Sequence, residues 1–147
     1  MLAIGCDQGG FELKDALLEH LKQSGVEFKD FGIFELKSVN YPEIAVMVAR
    51  SVASGECEKG ILVCGTGIGM SLAANKIKGI RAACVSDHYS AKYTRLHNDA
   101  NILCLGGRVI GPGTACELAD IFLNTEYEGG RHAIRVQMIT DIEEGRL

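Results

Sequence analysis

The chain has 147 residues, 47% of them hydrophobic and 23% charged, and carries a net charge of −4. That length suits one compact domain over residues 1–147 with a sizeable core, in the composition range of ordinary globular proteins. The negative balance argues against general nucleic-acid binding, and no apolar run reaches the length of a membrane span. Met1 enters Leu-Ala-Ile-Gly-Cys without the basic stretch of a secretory signal, so a cytoplasmic protein is expected.

Leu2–Cys6 reads as a first strand, followed by the cluster Cys6-Asp7-Gln8-Gly9-Gly10. Phe11–Ser24 gathers Phe11, Leu17, Leu18 and Leu21 on one side of a helix, with Gly25 as its C-cap. A second strand is expected over Glu27–Phe31. Pro42 suits the first turn of a helix that runs to about Ser54 and stops at Gly55. Gly60–Cys64 is a third strand, and it enters a turn with glycine at 65, 67 and 69 before a helix-like segment, Met70–Lys76. Arg81–Val85 makes a fourth strand and is followed by Ser86-Asp87-His88. A helix over Ser90–Leu96 then runs into His97-Asn98-Asp99, and Ile102–Leu105 is a fifth strand. After the Gly111-Pro112-Gly113 break a helix is expected over Ala115–Leu123. After Glu128-Gly129-Gly130 comes a last one over Arg131–Leu147, with Ile134, Met138 and Ile142 in a narrow stripe.

Strands apolar on both faces, alternating with helices, predict an α/β fold: a parallel sheet of about five strands with helices on both sides. Ligands of such sheets bind beyond the carboxyl ends of the strands. The Asp7, Cys64 and Asp87 clusters all fall there. The terminal helix is expected either to close this domain or to dock on a second subunit.

Ile61-Leu-Val-Cys-Gly-Thr-Gly-Ile-Gly69 is the most informative stretch. A strand delivers Cys64 to a glycine-rich anion cradle, whose amides favour a thiolate. The loop lacks the G-x-G-x-x-G spacing and the lysine and hydroxyl of a P-loop, so dinucleotide and ATP binding are poorly supported. Cys64 reads as nucleophile or base. Cys6, Cys84 and Cys104 lie in apolar runs and read as small buried residues of a reducing compartment. No C-x-x-C spacing occurs, so neither a zinc site nor a redox pair is indicated.

Asp7 suits either a turn cap or a contact to substrate hydroxyls. His97 is open between chemistry and a favourable place at a helix C-terminus, while His20 and His88 lack a supporting constellation. Arg131 and Arg135 stand one helical turn apart and repel by a few tenths of a kcal/mol unless an anion lies between them. A phosphate fits that requirement, with Arg108 as a third contributor; the alternative is a solvated helix face with Glu128 nearby.

Together these stretches resemble the ribose-5-phosphate isomerase type B family, which also includes galactose-6-phosphate isomerase subunits. The resemblance covers the whole chain. It rests on Gly5-Cys6-Asp7, Tyr41-Pro42, Cys64-Gly65-Thr66-Gly67-Ile68-Gly69, Ala73-Ala74-Asn75-Lys76, Gly79-Ile80-Arg81-Ala82, His97-Asn98-Asp99 and Glu128-Gly129-Gly130-Arg131-His132. It implies a Rossmann-like three-layer sandwich and an aldose–ketose isomerase without metal or cofactor. It further implies a homodimer, or a dimer of dimers, whose active sites are built from both subunits.

By the same resemblance Cys64 is the base that moves a proton between C1 and C2, with Met70 where some relatives place a glutamate. His97 assists ring opening. Asn98 and the amides of Gly65, Thr66, Gly67, Ile68 and Gly69 hold the enediolate oxygens. Arg131, Arg135 and Arg108 hold the phosphate, and Asp7 holds the sugar hydroxyls. Many members carry histidine where this chain has Gln8, which as a substrate-binding residue keeps a hydrogen bond to the phosphate or sugar but not the charge. Ribose 5-phosphate is the expected substrate. The alternatives are a hexose 6-phosphate, such as allose or galactose 6-phosphate, or a non-catalytic sugar-phosphate sensor.

Overall fold

The computed structural model describes residues 1–147. Five parallel strands, β1 (Leu2–Cys6), β2 (Phe28–Asp30), β3 (Lys59–Cys64), β4 (Ala82–Cys84) and β5 (Ile102–Gly106), form one sheet in the order β2-β1-β3-β5-β4. Six helices connect and cover them: α1 (Phe11–Gln23), α2 (Tyr41–Ala53), α3 (Ile68–Ala74), α4 (His88–Asn98), α5 (Pro112–Asn124) and α6 (Arg131–Glu143). Right-handed crossovers set the layers. Movement from β1 outward to β2 places α1 on one face, and the return through β3 places α2 and α3 on the other. The step back from β4 to β5 puts α4 beside α5 on the α1 face. This is the three-layer α/β sandwich that the strand pattern predicts.

The three central strands are buried along almost their whole length, which is why they read as continuous apolar runs. The two edge strands are shorter than the sequence predicts. Pairing on one side only sustains three residues each, Phe28–Asp30 and Ala82–Cys84, against the expected five. Cys84 departs from the expectation of a buried thiol: it lies at the open end of an edge strand and is exposed.

Helix ends differ for local reasons. Pro112 occupies the first turn of α5, where its fixed φ fits, so the helix begins three residues before Ala115. Asp87 caps α4 by accepting from the Ser90 amide at 2.7 Å, which moves its start to His88. α6 ends at Glu143, and Gly145 leaves the helix at φ +73°.

Lys14 is the most deeply buried charged side chain of the fold. Lys14 of α1, 1% exposed, pairs with Asp30 at 2.7 Å and donates to the Ile33 carbonyl at 2.8 Å. Burial also pushes the nearby Cys6 thiol up to about 11, so it stays a neutral core residue.

The strand order reverses between β1 and β3, and their carboxyl ends open a crevice there. Register brings the loops together. Cys6 pairs with Val63 and Cys64 pairs with Gly106, so the turns after β1, β3 and β5 meet side by side.

Candidate active site

Cys64 ends β3 with its side chain buried, and its Sγ accepts the Gly67 amide at 3.1 Å. That contact needs the turn to double back, and Gly67 does so at φ +81°, a region costly for other residues. Space also requires glycine: a Cβ at 67 would lie 2.9 Å from the Leu105 carbonyl carbon. Thr66 Oγ1 accepts from the Ile68 amide at 3.2 Å. The amides of Gly65, Thr66, Gly69 and Met70 find no acceptor within the chain. Four free N–H groups beside a sulfur are the kind of donors that can receive a developing oxyanion.

The neighbouring loops complete this group. Asp7 is buried and caps the turn after β1 by accepting from Gly9 at 2.8 Å, which is the turn role its position allows. Gly9 lies so close to Gly65 that a Cβ on it would sit 2.7 Å from the Gly65 nitrogen. Gly107 donates to the Cys64 carbonyl at 2.8 Å and Arg108 to the Gly65 carbonyl at 3.0 Å. The Arg108 guanidinium thereby lies against Gly65, its Nη1 at 3.2 Å from where a Cβ would be. Gln8 is exposed, and its Oε1 accepts from the Val39 amide at 3.0 Å. Tyr41 belongs here too, although sequence reasoning gave it no role: its ring fills the space beside Gly69.

A second group stands at the end of α4. The His97 ring stacks on His132 of α6, with centroids 3.9 Å apart and planes inclined by 13°, and meets Tyr93 edge-on at 4.9 Å. Its Nε2 lies 3.7 Å from Glu128, whose own amide donates to the Leu96 carbonyl and fixes the loop before α6. Arg131 and Arg135 extend into solvent from the first turns of α6. His132, which the sequence reading passed over, is buried with its Nε2 unpartnered. Burial first, then His97 and Arg131, hold its pKa below the ordinary histidine value, so the ring is kept neutral. Its signal in the sequence was its place next to Arg131, one residue off the arginine face.

His97 and Asn98 line a cavity of about 410 Å³ with Cys84, Tyr89 and Tyr93. Cys84 Sγ donates to the Thr66 carbonyl at 3.5 Å, so this cavity borders the glycine loop. No hydrogen bond or ion pair joins the Cys64 group directly to the His97 group. A larger cavity of about 630 Å³ lies between α6 and the β4 edge, walled by Ile139, Ile142 and Ala82, and contains neither Cys64 nor His97.

His97, Glu128 and His132 bring three potential metal donors within 4.8 Å of one another. The histidine planes are nearly parallel, however, so their in-plane lone pairs do not converge on one point, and Arg131 adds positive charge beside them. The trio fits a histidine stack with a carboxylate partner better than a cation site.

A doubly wound parallel sheet with a thiol and free amides at its switch point, and a histidine with two arginines beside a neighbouring cavity, defines an α/β protein equipped for proton transfer on an anionic ligand. The chain belongs to the family described as Ribose/Galactose Isomerase, whose profile matches residues 2–139. Ribose-5-phosphate isomerase B of Escherichia coli is 49% identical over 145 residues, covering 99% of this chain and 97% of that one. The structure of Clostridium thermocellum ribose-5-phosphate isomerase B superposes with a TM-score of 0.96 at 49% identity, covering 99% of each chain. Ribose-5-phosphate isomerase B from Mycoplasma genitalium, with bound ribulose-5-phosphate, gives a TM-score of 0.93 at 37% identity, covering 97% of this chain and 95% of that one.

Proposed function

We propose that the protein interconverts ribose 5-phosphate and ribulose 5-phosphate, with Cys64 as the base. The observation that carries this reading is the Cys64 sulfur held by the Gly67 amide among four free N–H groups. The sugar enters as a furanose, and His97 assists the opening of its ring. The Cys64 thiolate takes the proton from C2 of the open-chain aldose, and the electron pair passes through the C1–C2 bond to the carbonyl oxygen. Asn98 and the amides from Gly65 to Gly69 receive the resulting enediolate oxygens. A proton passes from the C2 hydroxyl to the C1 oxygen, and as the C2 carbonyl forms the Cys64 thiol returns its proton to C1, which yields the ketose and regenerates the thiolate. Arg131, Arg135 and Arg108 hold the phosphate away from the reacting carbons, so its binding fixes the pose. Asp7 orients the sugar hydroxyls.

Two subunits supply each site in this reading. The Cys64 and His97 groups are built on separate surfaces, and Ile68 and Leu72 of α3 stand 55% and 62% exposed next to the glycine loop, as residues awaiting a partner would. The protein works as a homodimer, or as a pair of dimers, in the cytoplasm.

Ketose formation from a panel of phosphorylated aldoses tests the proposal. Ribose 5-phosphate should be turned over fastest, and chelator should leave the rate unchanged. Faster turnover of allose or galactose 6-phosphate would assign a hexose 6-phosphate isomerase, and binding without turnover of any sugar would leave a sensor.

A further inference from the structure

Gln8 touches a part of the molecule that the isomerase reading does not use. Between the Ile33 carbonyl, held by Lys14, and Asn40, which begins the turn into α2, the chain crosses the surface without regular structure. Phe34 and Leu36 project from it into solvent. The only hydrogen bond from the backbone of residues 34–39 to the rest of the chain is Val39 N–H to Gln8 Oε1, at 3.0 Å. Two residues later stands Tyr41, whose ring packs on Gly69 so closely that a Cβ there would lie 2.7 Å from its Cζ. Gly69 carries one of the free amides of the oxyanion receptor. A continuous path therefore runs from Gln8 through Val39 and Tyr41 to the loop that faces the reacting atoms.

We infer that Gln8 is a positioning residue: it latches the 34–39 segment and so holds the Tyr41 ring against the amide loop. The inference rests on the isomerase reading for its effect on turnover, but not for the latch itself. Glutamine suits the task because its amide oxygen is an acceptor at every pH, whereas a histidine loses its acceptor when protonated. The Tyr41 ring in turn shields one side of the receptor from water, where the amides act more strongly on a developing charge.

Two variants of the full chain separate this role from a direct phosphate contact. Gln8→Met keeps the length and removes the acceptor, and Gln8→Glu keeps an acceptor and adds charge. Gln8 is exposed, so neither threatens the core. In Gln8→Met, exchange of the Val39 amide should rise and kcat should fall, each about three- to tenfold, the effect of one hydrogen bond. Inhibition by inorganic phosphate should stay within about twofold of the original protein, since the arginines are untouched. Gln8→Glu should recover most of the Val39 protection and more of kcat than Gln8→Met. Unchanged Val39 exchange in Gln8→Met would overturn the latch. Weakened phosphate inhibition in either variant, most of all in Gln8→Glu, would make Gln8 a direct phosphate contact instead. Should the unmodified protein turn over no phosphorylated aldose, the isomerase reading fails while Val39 exchange still decides the latch.

Discussion

The Gly67 amide donates to Cys64 Sγ at 3.1 Å, across a turn that only a left-handed residue can close. The bond fixes the sulfur beside the glycine loop, whose amides at Gly65, Thr66, Gly69 and Met70 are free. Cys64→Ala should therefore lower turnover by about a thousandfold or more, the range a general base supplies. The fold should survive, because only one small atom is lost. Ketose formation and a thermal melt check both halves, and near-normal turnover would remove Cys64 as the base.

Gly67→Ala tests the turn apart from the thiol. The new Cβ would crowd the Leu105 carbonyl carbon at 2.9 Å, in a backbone conformation that alanine adopts at a cost of about 1–3 kcal/mol. Urea unfolding should show that loss. Turnover measured well below the denaturation midpoint should fall further than the fraction unfolded explains, because the amide no longer meets the sulfur. Equal losses in both measurements would mean that Gly67 matters for packing alone.

The sheet was legible because its three central strands are buried on both faces and so appear as apolar runs, Leu2–Cys6, Gly60–Cys64 and Ile102–Leu105. The edge strands were overestimated: apolar character runs from Ala82 to Val85 and the expected strand starts at Arg81, while pairing on one side reaches only Ala82–Cys84. The same cause hid the exposure of Cys84. Cys64 could be singled out because glycines at a strand end are a local signal. The His97–His132 stack and the Gln8–Val39 bond join residues 35 and 31 positions apart, and such contacts leave no periodic trace in a sequence.

Arg131 and Arg135 project from one face of α6 without an acidic partner. In the proposed reaction they meet the phosphate, each through charge-assisted hydrogen bonds worth about 1.5–3 kcal/mol. Arg131→Met and Arg135→Met should each reduce kcat/KM by about ten- to a hundredfold, mostly through KM. Steady-state kinetics on ribose 5-phosphate check this. A fall in kcat at constant KM would place the arginines on the transition state rather than on the phosphate.

The Lys14–Asp30 pair sets the end of β2 and the start of the segment that Gln8 latches. Asp30→Ala leaves the Lys14 ammonium buried without its carboxylate and also takes an acceptor from the Gly32 amide at 2.9 Å. A loss of about 3 kcal/mol is expected, near the lower end for a broken buried pair because Asp30 is partly exposed. Lys14→Met should cost less, since it removes the buried charge and keeps the volume. Urea unfolding ranks the two, and the reverse order would show that the pair's charge is not what burial makes expensive.

His132 gives the fold a pH dependence of known sign. Burial, followed by His97 and Arg131, holds its folded-state pKa below the ordinary value of about 6.5, with Arg135 adding to that effect and Glu128 opposing it. As pH falls, the unfolded chain takes up this proton before the folded one does. The neutral ring's contribution is thus complete above about pH 6.5 and is lost as pH falls towards and through the depressed folded-state pKa. Unfolding free energy measured in urea between about pH 7.5 and 5.5, above the main carboxylate range, should decline for the original protein. His132→Gln removes the titrating group and should flatten that decline, with the two curves converging at the acid end. Parallel curves across the window would mean that the buried ring takes its proton as readily in the folded chain as in the unfolded one.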